Sequence, residues 1–190
     1  MVLPRKQNKI TYDNGNTIRF QMESVPAEVM QRALEHAEEA YEKNATQLHN
    51  LEMIYAKGDL LFGKGDYSEA ADYLEKELAA INGVETSPEN LIAYLDVLSL
   101  TAEILLYLKR PKDAFHYADE ALELAQNHFD DSWEFIYVEE VYATLCVALG
   151  KNDLAKKFYS DALARLNDEL DNAESLKEHM EEALADLNEE

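Results

Sequence analysis

Apolar residues return at two different intervals along this chain, and the change of interval divides it. In the first 23 residues, Ile10, Tyr12, Ile18, Phe20 and Met22 alternate with polar neighbours around Asp13-Asn14-Gly15-Asn16. Alternation puts every second side chain on one face of a strand, and Asn-Gly between two such runs is a strong short-range signal for a β-hairpin. A lone two-stranded hairpin is marginal in water, so this one must lie on the rest of the protein or pair with something. From Ser24-Val25-Pro26 onward the interval becomes helical. Ala33, Leu34, Ala37, Ala40 and Tyr41 stand three and four apart, and Pro26 suits a first turn. Breaks then follow in order. Gly63-Lys64-Gly65 ends a helix, and Asp66 with Glu69 three residues on resembles a capping box opening the next. Asn82-Gly83 ends that one, Ser87-Pro88 opens another, and Arg110-Pro111 marks a tight turn. Asp130-Asp131-Ser132 starts a further helix, Gly150 closes it, and Asn152 is expected to cap its successor. Residues 153–188 hold neither Gly nor Pro, so Asp171-Asn172 is the one plausible break there, and one long helix or two remain open. About eight helices are expected.

Three segments align without gaps when anchored on Ala70, Ala114 and Ala155. Twelve residues before each anchor stands a small residue, Gly58, Ala102 and Ala143; nine before stand Leu61, Leu105 and Cys146; nineteen before stand Leu51, Leu95 and Ile136. Three after each is an aromatic, Tyr73, Tyr117 and Phe158, and eight after a leucine, Leu78, Leu122 and Leu163. Gly65 and Gly150 lie five before the first and third anchors, where the second segment has Lys109. Two antiparallel helices joined by a short turn pack closely only where side chains are small, and leucines and aromatics fill the volume beside that contact. One such pair cannot bury its apolar face alone, so pairs must stack.

This pattern resembles the tetratricopeptide repeat family, most visibly from Ala56 through Gly58, Gly65 and Tyr67 to Ala70, and over residues 48–170 as a whole. The resemblance implies an all-α solenoid of about three helix-turn-helix repeats with flanking helices and a short N-terminal β-hairpin. The expected organisation is an arm over residues 1–23, repeats over 24–170, and an acidic capping helix over 171–190. Residues 27–45 resemble the second helix of a degenerate earlier repeat, with Ala33 as its anchor. The anchors are 44 and 41 residues apart, against the usual period of about 34. Longer helices account for this, as in the long-period repeats of kinesin light chains and bacterial peptide-sensing regulators.

In that family the first helix of each repeat lines a concave face, which implies a peptide-binding groove. Counted from Gly58, Ala102 and Ala143, its lining would be Glu52, Tyr55, Asp59 and Phe62 from the first repeat, Asp96, Ser99, Glu103, Leu106 and Tyr107 from the second, and Tyr137, Glu140, Thr144 and Val147 from the third. Acid interleaved with aromatic and apolar side chains suits a peptide carrying Lys or Arg between apolar anchors. A family variant clamps the terminal carboxylates of heat-shock chaperones with Lys, Asn and Arg. Tyr55 and Asp59 stand where its first Lys and Asn would be, so an acidic tail is not the expected ligand.

Composition narrows the reading. The 190 residues carry a net charge of −22, which repels nucleic acid and anionic lipid surfaces. The charge is uneven. Residues 1–23 hold Arg5, Lys6, Lys9 and Arg19 against Asp13 and Glu23, while the last twenty hold Lys177 alone against eight acidic residues. One cysteine, Cys146, permits no intramolecular disulfide, and its apolar setting reads as a small buried hydrophobe. No apolar run is expected to cross a membrane, and the start has no apolar stretch behind its basic residues, so a cytoplasmic setting is expected. A di-iron bundle needs Glu-x-x-His pairs, and only Asp113 with His116 has that spacing. No phosphate loop, dinucleotide glycine motif or serine elbow occurs. A non-enzymatic adaptor or small chaperone without cofactor or metal is therefore expected, its partner a protein or peptide. A homo-oligomeric structural subunit, assembling through the hairpin or terminal helix, is the alternative, with a secretion-type chaperone or an enzyme behind it.

Overall fold

The computed structural model describes residues 5–23, 25–129, 132–166 and 173–189. Among them the chain forms β1 (Arg5–Thr11), β2 (Thr17–Glu23), α1 (Ala27–Lys43), α2 (Gln47–Lys64), α3 (Tyr67–Ala80), α4 (Pro88–Tyr107), α5 (Pro111–His128), α6 (Trp133–Ala148), α7 (Asn152–Arg165) and α8 (Ala173–Glu189). This is an all-α helix-turn-helix repeat array with an N-terminal hairpin. The pairs α2/α3, α4/α5 and α6/α7 are the three repeats, and α2, α4 and α6 stack side by side as their first helices.

The three first helices begin alike. Thr46, Ser87 and Ser132 each accept a hydrogen bond from the backbone N–H three residues on, at 3.2, 3.2 and 3.4 Å. They also end alike. In each repeat the residue five before the anchor alanine is left-handed: Gly65 at φ 89°, Lys109 at φ 59° and Gly150 at φ 74°. The next amide closes the turn onto the aligned carbonyl, Asp66 N–H to Leu61, Arg110 N–H to Leu105 and Lys151 N–H to Cys146, at 3.0, 2.8 and 2.8 Å. The repeat seen in the sequence is thus a repeat of backbone geometry, and Lys109 holds a conformation that glycine adopts without strain. The anchors Ala70, Ala114 and Ala155 are fully buried. Gly58 presses on Leu74, one turn past Ala70, so closely that a Cβ there would come within 2.7 Å of Leu74 Cδ2.

Several local expectations are corrected. Asp66 makes no side-chain cap, and Asn152 is the first residue of α7 rather than its cap. Ala33 is exposed, and α1 instead buries Met30 and Leu34 against Leu60. The chain past Asn152 forms two helices; the expected break at Asp171-Asn172 lies outside the described residues, as do Ser24, Asp130 and Asp131. Helix α4 has the length and composition of a membrane-crossing segment, against the expectation of none, but 67% of that stretch is buried among its neighbours. It is the central helix, and its apolarity follows from being covered on nearly all sides. Cys146 is buried, and burial pushes its thiol up to about 11, which leaves it protonated and inert.

The hairpin lies on the helices. Its strands pair from Arg5 opposite Glu23 to Thr11 opposite Thr17, and Gly15 turns the chain at φ 88°. Tyr12 and Ile18 enter the main core; the side chains of Phe20 and Met22 lie outside the described set. The Tyr12 hydroxyl donates to the Leu106 carbonyl at 2.6 Å, Asn14 Nδ2 to the Ala148 carbonyl at 3.1 Å, and Asn16 Nδ2 to the Val147 carbonyl at 2.8 Å. These acceptors belong to the last turns of α4 and α6, where helix carbonyls need partners from outside the helix.

Candidate functional site

Stacking α2, α4 and α6 brings the inner-face candidates together, but openness falls from the first repeat to the third. One turn before the small residues, Tyr55 is 38% exposed, Ser99 is fully buried, and Glu140 is 7% exposed. One residue after them, Asp59 and Glu103 are half-buried and Thr144 is buried. Two segments close the third repeat. Helix α8 brings His179 Nε2 to 2.9 Å from Glu140 Oε1, and the hairpin seals the ends of α4 and α6.

The row four residues after the small positions, Phe62, Leu106 and Val147, is buried throughout. What covers this row comes from other elements, so counting along one helix could not reveal its burial. Phe62 packs edge-on to Tyr67 and Tyr107, at 5.3 and 5.7 Å between ring centres, tying α2, α3 and α4 together; Tyr107 belongs to that packing. Thr144 donates to Glu140 Oε1 at 3.1 Å and meets the Tyr159 hydroxyl at 2.8 Å, facing α7. The Ser99 hydroxyl has no hydrogen-bond partner among the described residues. The reachable part of the predicted groove is therefore Glu52, Tyr55, Asp59, Asp96, Glu103 and Tyr137.

The electrostatics of this part are unusual. Tyr137 donates its hydroxyl to Glu103 Oε1 at 2.8 Å, linking α6 to α4. Desolvation by burial, then the Glu140 charge, push Glu103 up to about 7 against the pull of Tyr137 and His179. Burial and the Glu134 charge push Asp96 up to about 6, and burial raises Asp59. Tyr55 is raised by burial and by the fields of Asp59, Asp96 and Glu103. Asp59 and Asp96 make no ion pair or side-chain hydrogen bond among the described residues. Elsewhere the buried Glu139 takes Arg165 at 2.8 Å and the half-buried Glu75 takes Arg110 at 3.2 Å. Among the described residues no Lys or Arg meets the carboxylate of Asp59 or Asp96.

Sequence reasoning missed His179 and Glu134. Burial alone would lower the His179 pKa, but its hydrogen bond to Glu140 and the fields of Glu140, Glu103 and Glu182 outweigh that and raise it. No spacing signal could have found it, because α8 reaches the inner face through tertiary packing. Among the described residues no three His, Cys, Asp or Glu side chains converge as a metal ion would require.

Stacked helix-turn-helix pairs with a shared inner face define a TPR-like helical-repeat scaffold. No family model matches the sequence, and no curated protein matches it. Solved structures share the fold, among them the following two. A TPR-like protein from Chlorobium tepidum superposes with a TM-score of 0.58 at 18% identity, over 75% of this chain and 96% of that one. BtubC (BKLC) from P. vanneervenii superposes with a TM-score of 0.57 at 19% identity, over 74% of this chain and 55% of its own length. Likeness at such identities carries the fold alone.

Proposed function

We propose that this chain is a protein-interaction module that holds a peptide segment on the open part of its inner face, the segment presenting Lys or Arg between apolar anchors. The observation that carries this reading is the partly exposed Tyr55 in the fields of Asp59, Asp96 and Glu103, none of which meets a Lys or Arg among the described residues. The tyrosine offers a flat apolar contact with a polar rim, and the carboxylates fix where a cation must stand. A stacked scaffold holds this face preformed, so little ordering entropy opposes binding on the receptor side. Assembly through the hairpin is the weaker reading, because Tyr12 and Ile18 already face the chain's own core.

A fluorescein-labelled synthetic peptide of alternating lysine and tyrosine, titrated at low salt and followed by anisotropy, tests the proposal. Exchanging Asp59→Asn, Asp96→Asn and Glu103→Gln together should weaken binding by at least about ten-fold, or about 1.4 kcal/mol. Unchanged affinity would sink the acidic-groove reading.

A further inference from the structure

Asparagine stands directly before glycine twice in this chain, at Asn14-Gly15 and at Asn82-Gly83. Such a pair can react with itself, because glycine has no side chain to shield its own backbone nitrogen. The glycine nitrogen attacks the asparagine Cγ. A bond from that nitrogen to Cγ forms, the Cγ–Nδ2 bond breaks, and Nδ2 leaves as ammonia with the glycine N–H proton. Water then opens the resulting cyclic imide. Opening at Cγ leaves aspartate. Opening at the main-chain carbonyl leaves isoaspartate, whose backbone runs through Cβ and is longer by a methylene. The fold treats the two pairs differently. At the hairpin turn Gly15 N–H donates to the Tyr12 carbonyl at 2.9 Å, Asn14 Oδ1 accepts from the Asn16 N–H at 3.0 Å, and Asn14 Nδ2 donates to the Ala148 carbonyl at 3.1 Å. Nucleophile, carbonyl and leaving nitrogen are all engaged, so attack must wait for these contacts to open together. Asn82 and Gly83 are both exposed in the loop between α3 and α4. Neither the Asn82 carboxamide nor the Gly83 N–H makes a hydrogen bond among the described residues. Immediately beyond them the loop is tied to α2, where Gln47 Nε2 donates to the Gly83 carbonyl at 2.9 Å and Gln47 Oε1 accepts from the Glu85 N–H at 2.6 Å.

We propose that Asn82 is a self-modification site, which turns to aspartate and isoaspartate in the folded protein while the fold keeps Asn14 as the amide. The inference stands apart from the peptide-binding reading. Isoaspartate places its extra methylene directly ahead of Gly83 and so shifts the Gly83 carbonyl and the Glu85 N–H away from Gln47. That change falls on the connection between the first and second repeats, and it adds a negative charge to a loop that already holds Glu85.

The test holds the full-length wild-type chain in warm, mildly alkaline buffer, samples it over time, and maps amide-to-acid conversion by digestion and mass spectrometry. In the folded protein Asn82 should convert at least about ten-fold faster than Asn14, with isoaspartate among its products. A parallel sample unfolded in urea should lose that difference, because each pair then presents the same two residues without contacts. Asn14 converting as fast as Asn82 in the folded protein overturns the inference. An Asn82 that stays the amide in the folded protein while reacting in urea also overturns it. So does a gap that persists in urea, which would trace the difference to neighbouring residues and not to the fold. For the connection between repeats, the isoaspartyl form is separated from unaged protein by ion exchange. Its Glu85 N–H should exchange with solvent deuterium several-fold faster than in unaged protein, whereas Asn82→Asp, which adds the charge without the methylene, should leave that rate unchanged. Equal exchange in the isoaspartyl and unaged forms overturns the effect on Gln47.

Discussion

Glu103→Gln is the substitution whose consequence follows most directly from the inner face. Glu103 lies half-buried, accepts from the Tyr137 hydroxyl at 2.8 Å, and feels Glu140 and Asp59 nearby. Glutamine keeps an acceptor for Tyr137 and removes the charge. In the folded protein the carboxyl is pushed from 4.5 up to about 7, chiefly by burial. The folded state therefore keeps a proton that the unfolded chain gives up, and stability falls as pH rises across that window. Below it both states are protonated and the carboxyl contributes nothing; above it the full cost of an ionised, buried carboxylate applies. At about 1.4 kcal/mol per pKa unit the cost comes to ~3.5 kcal/mol, and about 2 kcal/mol is the better figure for a side chain that still meets some solvent. Glu103→Gln should match the wild type in urea denaturation at a pH near 4.5 and exceed it by about 2 kcal/mol at a pH well above 7. Circular dichroism and tyrosine fluorescence should follow the same transition. A difference independent of pH, or a less stable variant in alkali, would refute the placement of Glu103 in a desolvated acidic recess.

Two further outcomes follow. His179→Gln leaves Glu140 buried without its cation and should cost about 2–3 kcal/mol in mild acid; because the folded pKa of His179 is raised, its contribution is present below the unfolded value and lost as pH rises through the folded one, so thermal melts should show the deficit shrinking toward alkaline pH. Lys109→Gly replaces the left-handed residue at φ 59° and should stabilise by up to about 1 kcal/mol in urea denaturation, the relief of left-handed strain outweighing glycine's greater unfolded entropy; a loss of stability would refute the strain argument.

The repeat could be read from the chain because it is written in local chemistry. Glycines at the turns, Ser87 and Ser132 before two of the first helices, small residues at the helix contacts and Asn-Gly in the hairpin each act on neighbours a few residues away, so their spacing survives in one dimension. The acidic and aromatic character proposed for the inner face rests on the same kind of signal, since Asp59, Asp96 and Glu103 occupy defined positions relative to the small residues of their own helices. Capping by Asp66 and Asn152 was misread because the same residue types serve other partners; Asn152 Oδ1 accepts from Asn16, 136 positions away. Openness of the groove was not legible at all. Whether Tyr55 meets solvent while Ser99 and Glu140 do not depends on which helices flank each first helix and on where α8 and the hairpin come to rest. Contacts such as Asn14 with Ala148, 134 residues apart, leave no periodic trace, because their geometry arises only when every intervening helix has packed. Local spacing thus specified the elements, their turns and the kind of side chain on each face. Long-range packing assigned which of those faces meets solvent, which carboxylates lose their water and shift, and which helix ends the N-terminal hairpin meets.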